Sequence, residues 1–405
     1  MAKRMANGEP VSSDQEALLS AIIEYPDENT PRLAYADLLD EIGGESNHAR
    51  AKLIRLQIDV NGMHFFQERK IAKDEINRIL DRYGAAWQAE VGLIDRYTSY
   101  TSPIFRRGFV MCAHLTANQF LRAGEGLVAR TPLRDIGLRR LGELVPKLAA
   151  FPALDRIRGL WINNQLIGAS AAQTLTHSLH LRLLERLDLA VNGIGASGAR
   201  AILEGTAESA LKDVNFRSNH LGSTGATLVA ECPAMAKHVA LRLGDNDIQL
   251  TGARAIANSP YLGQVTVLDL DNNGLGLHSA LAFVGSASLR PRHVSLVGNS
   301  LADRGIAALV AGSFVETVES LDLEANRIGE LGAMAMARSP HLRCLRDLDL
   351  ANNPVTDRAA LALRAGLPTL KRLGLKGTLV SERIRKQLFG KETTSGILVD
   401  RVGKE

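Results

Sequence analysis

Aromatic side chains are scarce in this 405-residue chain, with 10 Phe, 6 Tyr and 2 Trp making 4% of the total. A core built from it must be filled by Leu, Ile, Val and Ala. Little is left for base stacking, which argues against a single-stranded nucleic acid as ligand. Cysteine is scarcer still. Cys112, Cys232 and Cys344 are odd in number and far apart. That excludes a disulfide framework and any CxxC zinc pattern, and the three read as small buried apolar residues. No apolar run approaches the ~18 residues of a spanning helix. The opening MAKRMANGEPVSSDQ lacks the apolar stretch of a signal peptide. The expectation is a soluble protein of a reducing cytoplasm, with no membrane contact. Catalytic signatures are missing too: there is no GxxxxGK[ST], no HExxH and no GxSxG. His177 and His180 stand three apart with no carboxylate or Cys to complete a metal site, and read as a solvated helix face. Hence no catalytic residue, metal or cofactor is expected, and the chain does not read as an enzyme.

What the chain does have is 45% apolar residues, enough for a core, and 36 glycines, enough for many tight turns. The formal net charge of +4 is unevenly spread. It runs −5 over residues 1–60, +6 over 61–158, −3 over 159–360 and +6 over 361–405.

One frame recurs: apolar, two residues, apolar, one residue, apolar, two residues, Asn, one residue, apolar. It reads Leu184, Leu187, Leu189, Asn192, Ile194, and returns on Asn219, Asn246, Asn273, Asn299, Asn326 and Asn353. His238 and Pro291 fill the first apolar slot in two copies. A copy with Gln165 in place of Asn precedes the series, and one with Thr378 follows it. The steps from residue 165 onward are 27, 27, 27, 27, 26, 27, 27 and 25. Six residues after each Asn stands a small residue, such as Gly198, Gly225, Gly252 or Ser279, opening a stretch of helical period. Pro260 and Pro340 end two of these helices.

This frame resembles the leucine-rich repeat family. The 27-residue strand-plus-helix unit is similar to the ribonuclease-inhibitor-like subclass. The resemblance implies an α/β fold: a right-handed solenoid or horseshoe, with a parallel sheet on the concave face and helices on the convex face. Stacked units bury what one unit alone could not. The recurring Asn is expected to close the turn after each strand through its donor and acceptor, forming a ladder along the solenoid.

Residues 12–60 do not fit the frame. Ser13 and Glu16 have capping-box spacing for a helix to about Glu24, with Leu18, Leu19, Ile22 and Ile23 inward. Thr30-Pro31 starts a second helix that ends before Gly43-Gly44, and a third is expected over about 49–60. The stretch EALLSAIIEYPDENTPRLAYADLLDEIGG resembles a bacterial repeat-companion domain, a small all-α module found ahead of leucine-rich repeats, with Leu38 where that family usually has Trp. Arg32, Asp37, Arg50 and Arg55 in it read either as a local salt-bridge network or as an interaction site. A long amphipathic helix is expected over 65–90, with Phe66, Ile71, Ile76, Ile79, Leu80, Tyr83 and Trp87 on its apolar stripe. The expected organisation is a helical module (12–60), a helix with degenerate capping repeats (61–156), repeats (157–380), and a C-terminal cap with a loose tail (381–405).

Period-2 geometry aims the residues six, four and two before each Asn at the concave face of the sheet. Among them are Trp161, Asp188, Arg217, Arg242, Asp269, Asp271, Asp322, Glu324, Asp347 and Asp349, which form the candidate partner-binding set. The units ending at Asn273 to Asn353 present six carboxylates there and no Lys or Arg. Such a wall attracts a basic partner; equally, Asp between strand leucines keeps a face soluble. The leading reading is a non-catalytic protein–protein interaction scaffold, with another protein as partner on the concave face and a basic one at the acidic C-terminal half. The alternative is a regulator of an enzyme, of the GTPase-activator or enzyme-inhibitor kind. Nucleic acid is not expected as a partner.

Overall fold

The computed structural model describes residues 12–60, 62–63, 66–93 and 104–389. They fall into two compact units, one reaching to Ile162 and including Leu179–Leu184, the other made of Asn163–Ser178 and the described residues from Glu185 onward.

The first unit opens with four helices, α1 (Ser13–Glu24), α2 (Thr30–Ile42), α3 (Glu45–Asp59) and α4 (Phe66–Glu90). Then come β1 (Ile104–Arg106), β2 (Phe109–Thr116), α5 (Ala117–Val128), β3 (Asp135–Arg139), α6 (Val145–Ala149) and β4 (Gly159–Trp161). Ile22, Tyr35, Ala36, Leu39, Ala51, Ile54 and Phe109 form one core, flanked by Leu18 and Leu19. β1 is antiparallel to β2, while β2, β3 and β4 run parallel. The β1–β2 hairpin turns through Gly108 at φ +81°, and a Cβ there would lie 2.1 Å from Ile54 Cγ1, so only glycine fits.

Several helix boundaries differ from expectation. Ser12, not Ser13, caps α1, its hydroxyl accepting from Gln15 N at 3.2 Å. This register turns Gln15 and Ile22 inward and leaves Glu16 exposed. Asn29 precedes α2, so Thr30 is its first residue, not its cap. α3 starts at Glu45, immediately after the Gly43-Gly44 turn. On α4, Ile76, Ile79 and Trp87 are buried, but Ile71 is 63% exposed, because it borders a shallow groove with Leu56 and Met63 instead of a covering element. The side chain of Phe66 and the tail 391–405 lie outside the described residues. Three arginines of the helical module are engaged within the first unit. Arg55 pairs with Asp37 (2.6 Å) and Asp40 (2.7 Å), and Arg50 with Glu90 (2.8 Å). Arg32 is fully buried against the Phe109 ring and donates to Pro26 O at 2.7 Å.

The second unit is a solenoid of alternating helices and short strands. Its helices are α7 (Gly168–Thr176), α8 (Gly195–Gly205), α9 (Gly222–Glu231), α10 (Gln249–Asn258), α11 (Gly276–Val284), α12 (Ala302–Leu309), α13 (Glu330–Arg338), α14 (Asp357–Gly366) and α15 (Glu382–Phe389). Its strands are β5 (Arg186–Asp188), β6 (Asp213–Asn215), β7 (Ala240–Arg242), β8 (Val267–Asp269), β9 (His293–Ser295), β10 (Ser320–Asp322), β11 (Asp347–Asp349) and β12 (Arg372–Gly374). Each strand pairs in parallel with the next without a slip, so Leu187, Val214, Leu241, Leu268, Val294, Leu321, Leu348 and Leu373 stand opposite one another. All eight are buried. Successive helices pack side by side. Their close approach needs the small residues: a Cβ on Gly252 would lie 2.5 Å from Ile248 Cγ2 and 2.8 Å from Ala226 Cβ.

The Asn side chains run as a ladder through this unit. Asn246 Oδ1 accepts from Asn219 N (2.9 Å) and Leu221 N (3.2 Å) of the preceding turn. Its Nδ2 donates to Phe216 O (2.9 Å), Leu243 O (3.0 Å) and Gly244 O (3.0 Å). Asn273, Asn299, Asn326 and Asn353 repeat the pattern. At the start of the series Asn192 Oδ1 accepts from Gln165 N at 3.1 Å, and Asn219 Oδ1 from Asn192 N at 3.1 Å. A second ladder uses hydroxyls at the ends of the helices: Ser259 to Ala230 O (2.5 Å), Ser286 to Ala257 O (2.7 Å) and Ser339 to Val310 O (2.5 Å).

His238, in an apolar slot, is buried with its Nδ1 against Ala234 O at 3.0 Å, and burial holds its pKa down at about 4, so the ring is neutral. The cysteines depart from a uniform reading. Cys112 is buried, Cys232 is half-buried at the end of α9, and Cys344 is exposed on the loop between the core anchors Leu342 and Leu345. Replacing Asn246 by Ala takes the partner from Asn219 N, Leu221 N and Phe216 O, while Leu243 O and Gly244 O keep Asn273 Nδ2 and Ser218 N. The expected loss is about 2–3 kcal/mol in a urea melt, the scale of buried polar groups left unpaired. A loss below about 0.5 kcal/mol, the ordinary range for a surface substitution, would refute the ladder's role.

Candidate interaction face

The outer face of the strands in the second unit is lined by three rows of side chains, six, four and two residues before the Asn. The middle row has a local duty. Asp188 Oδ1 accepts from Ala190 N (2.9 Å), Asp269 from Asp271 N (2.9 Å), Asp322 from Glu324 N (3.1 Å) and Asp349 from Ala351 N (2.8 Å). Asn215 does the same for Arg217 N at 3.0 Å. Each is a side chain bonding its own backbone two residues on, which satisfies an N–H at the end of the strand. In these five units the position supplies an acceptor, for which a charge is not needed, as Asn215 shows; Arg242 and Ser295 hold the same position without this bond.

The acidic wall is therefore more structured than a list of carboxylates. Arg242 pairs with Asp213. Arg217 reaches across two strands to Asp269 (3.1 Å) and Asp271 (2.9 Å), and touches Asp245 at 2.5 Å. Arg372 grips Asp347 with two nitrogens, at 2.5 and 2.7 Å. Asp271 also accepts from the Ser295 hydroxyl and from Val297 N. What remains is Asp322, Glu324 and Asp349. Asp322 and Asp349 are register partners on β10 and β11, and Glu324 accepts from Asn352 Nδ2 at 2.8 Å. Among the described residues no Lys or Arg forms an ion pair with any of these three.

Their electrostatics follow. Burial pushes the Asp322 carboxyl up to about 7, opposed by its bond from Glu324 N and reinforced by the carboxylates of Asp349, Asp271 and Glu324. Asp349 is raised for the same first reason, with Glu324 adding to it. Asp188 is raised mainly by burial. Asp269 is raised by burial and by Asp271, which together outweigh its pairing with Arg217.

Of the ten candidate residues, nine lie on this one face. Trp161 sits in the first unit, half-buried on β4, its ring folded over Gly159 beside Asp135. The backbone duty of the middle row and the reach of Arg217 over Gly244 were not read from the sequence. The signals were Asp or Asn at one fixed position in five units, and a glycine between an arginine and its acids. Among the described residues no group of His, Cys, Asp and Glu could hold a metal, and no helix is long and apolar enough to cross a membrane.

The sequence profile of the leucine-rich repeat family matches residues 180–203, 239–257, 316–337 and 341–363, so the chain carries leucine-rich repeats. No curated protein matches. Among solved structures 74 chains are similar. One belongs to the crystal structure of the Rad7 and Elc1 complex in yeast, with 15% identity, 66% of this chain and 69% of that chain covered, and a TM-score of 0.46.

The folded-state pKa of Asp322 lies above the usual 3.8. The cost of ionising it is therefore absent below about pH 4 and complete above about pH 7. Asp322→Asn keeps the acceptor for Glu324 N and removes that cost. The variant is expected to be more stable than the parent by on the order of 1–3 kcal/mol at pH 8, with no gain at pH 4. Chemical melts at the two pH values check this, and an equal change at both would refute it.

Proposed function

We propose that the chain is a non-catalytic protein-interaction scaffold that docks a basic segment of another protein on the strand face over β10 and β11. One observation carries the reading: Asp322, Glu324 and Asp349 stand together on adjacent strands with no cationic partner among the described residues, while the carboxylates around them are matched by Arg217 and Arg372. A half-buried acid cluster of this kind is costly to the free chain, and a Lys or Arg side chain from a partner would relieve the cost. The same potential repels a nucleic acid backbone. The 27-residue period supports a ribonuclease-inhibitor-like repeat domain over about 157–380. The helices α1 to α3 support a companion module before it.

The test combines Asp322→Asn, Glu324→Gln and Asp349→Asn in one variant, which keeps shape and hydrogen-bond acceptors. Its complex with the natural partner, recovered from the source cell, is expected to weaken about tenfold or more and to lose most of its salt dependence, while the melting temperature does not fall. A partner that binds both proteins equally at all salt concentrations would place the docking surface elsewhere.

A further inference from the structure

Arg217 pairs differently from Arg242 and Arg372 on the strand face. Arg242 and Arg372 each pair with a carboxylate on a neighbouring strand. Arg217 instead crosses β7 and is shared by three acids, Asp245, Asp269 and Asp271. Its path exists because the residue beneath it is Gly244. A Cβ at that position would lie 2.7 Å from Arg217 Nη1 and 3.0 Å from Asp269 Oδ1. Gly244 has no left-handed φ, so its backbone would accept another residue. What a side chain there would disturb is the arginine lying over it.

We propose that Arg217 is an internal plug of the acidic wall: it occupies the carboxylates of β8 as a partner's arginine would, and so confines docking of a basic segment to β10 and β11. The inference rests on the reading that this face binds a basic partner. It adds that the site over β8 is held closed by the chain itself. Displacing the plug would extend the docking face by two strands. The geometry is that of a guanidinium bridging carboxylates, with Nη1 between Asp269 and Asp271 and Nη2 on Asp245, which an arginine from outside could reproduce. The filled site is also the less costly state for the free chain, since two half-buried carboxylates side by side repel each other.

The experiment measures binding of a labelled hexa-arginine peptide to the full chain by fluorescence anisotropy over a range of salt. Arg217→Gln removes the plug. Gly244→Ala displaces its guanidinium while keeping every charge, so the test survives if Arg217→Gln folds poorly. Both variants are expected to bind the peptide about three- to tenfold more tightly than the parent, with steeper salt dependence. Adding Asp269→Asn and Asp271→Asn to Arg217→Gln is expected to return the affinity to the parent value. The plug is overturned if the parent binds, the Asp322→Asn, Glu324→Gln, Asp349→Asn protein does not, and both plug variants bind as the parent does. Equal binding by all these proteins would defeat the reading of the face itself, and the plug with it.

Discussion

One side-chain amide per repeat holds the second unit in register. After every strand the chain must bend sharply, and the residue just before each Asn takes the left-handed conformation: Val191 at φ +58°, Ser218 at +56°, Asp245 at +57°, Ala325 at +56°. For residues with a Cβ this backbone is strained, most of all for a β-branched one such as Val191. The bend also turns backbone groups inward, away from water. The Asn amide answers both problems, since its oxygen takes two N–H groups of one turn and its nitrogen serves carbonyls of that turn and its own. Neither half alone would do, which is why Asp or Leu of similar size is no substitute.

Register then dictates the chemistry of the exposed face. Parallel strands without a slip put equivalent residues about 4.8 Å apart in straight rows. A repeating sequence that favours Asp at one position therefore stacks like charges. The chain relieves each clash differently. In the middle row, Asn215 and Ser295 interrupt the run with neutral groups, and Arg242 interrupts it with a cation. Arg217 spans the pair on β8, and Arg372 grips Asp347. Only on β10 and β11 do two middle-row acids face each other directly.

How much of this was legible follows from what repeats. The strands, the helices and the Asn positions recur at a constant step, and a periodic signal survives local noise such as His238 or Pro291 in a leucine slot. The helical module was legible as three helices, but not their caps, because Ser12 and Ser13 can both accept from the first turn and only the packing of Gln15 and Ile22 chooses between them. The face was legible as a list of outward residues and not as a network. Arg217 and Asp271 are 54 residues apart, and their meeting depends on a third residue, Gly244, whose contribution is the absence of a side chain. Nor does spacing alone reveal that Asp322 bonds its neighbour's N–H while crowding Asp349, since the first depends on a turn and the second on pairing between units.

The unmatched acids carry the functional argument because their cost to the free chain and their value to a complex have the same origin. Burial and mutual repulsion keep Asp322 protonated until about pH 7, so below that pH the face has less charge to offer. A cation placed beside it lowers the pKa again, and the carboxylate ionises as the contact forms. On the proposed reading, a basic partner would be held by charges that its own approach completes, and its attachment would strengthen as the pH rises towards 7. Had a lysine of the chain already stood there, as Arg217 does over β8, the same acids would serve only the stability of the fold.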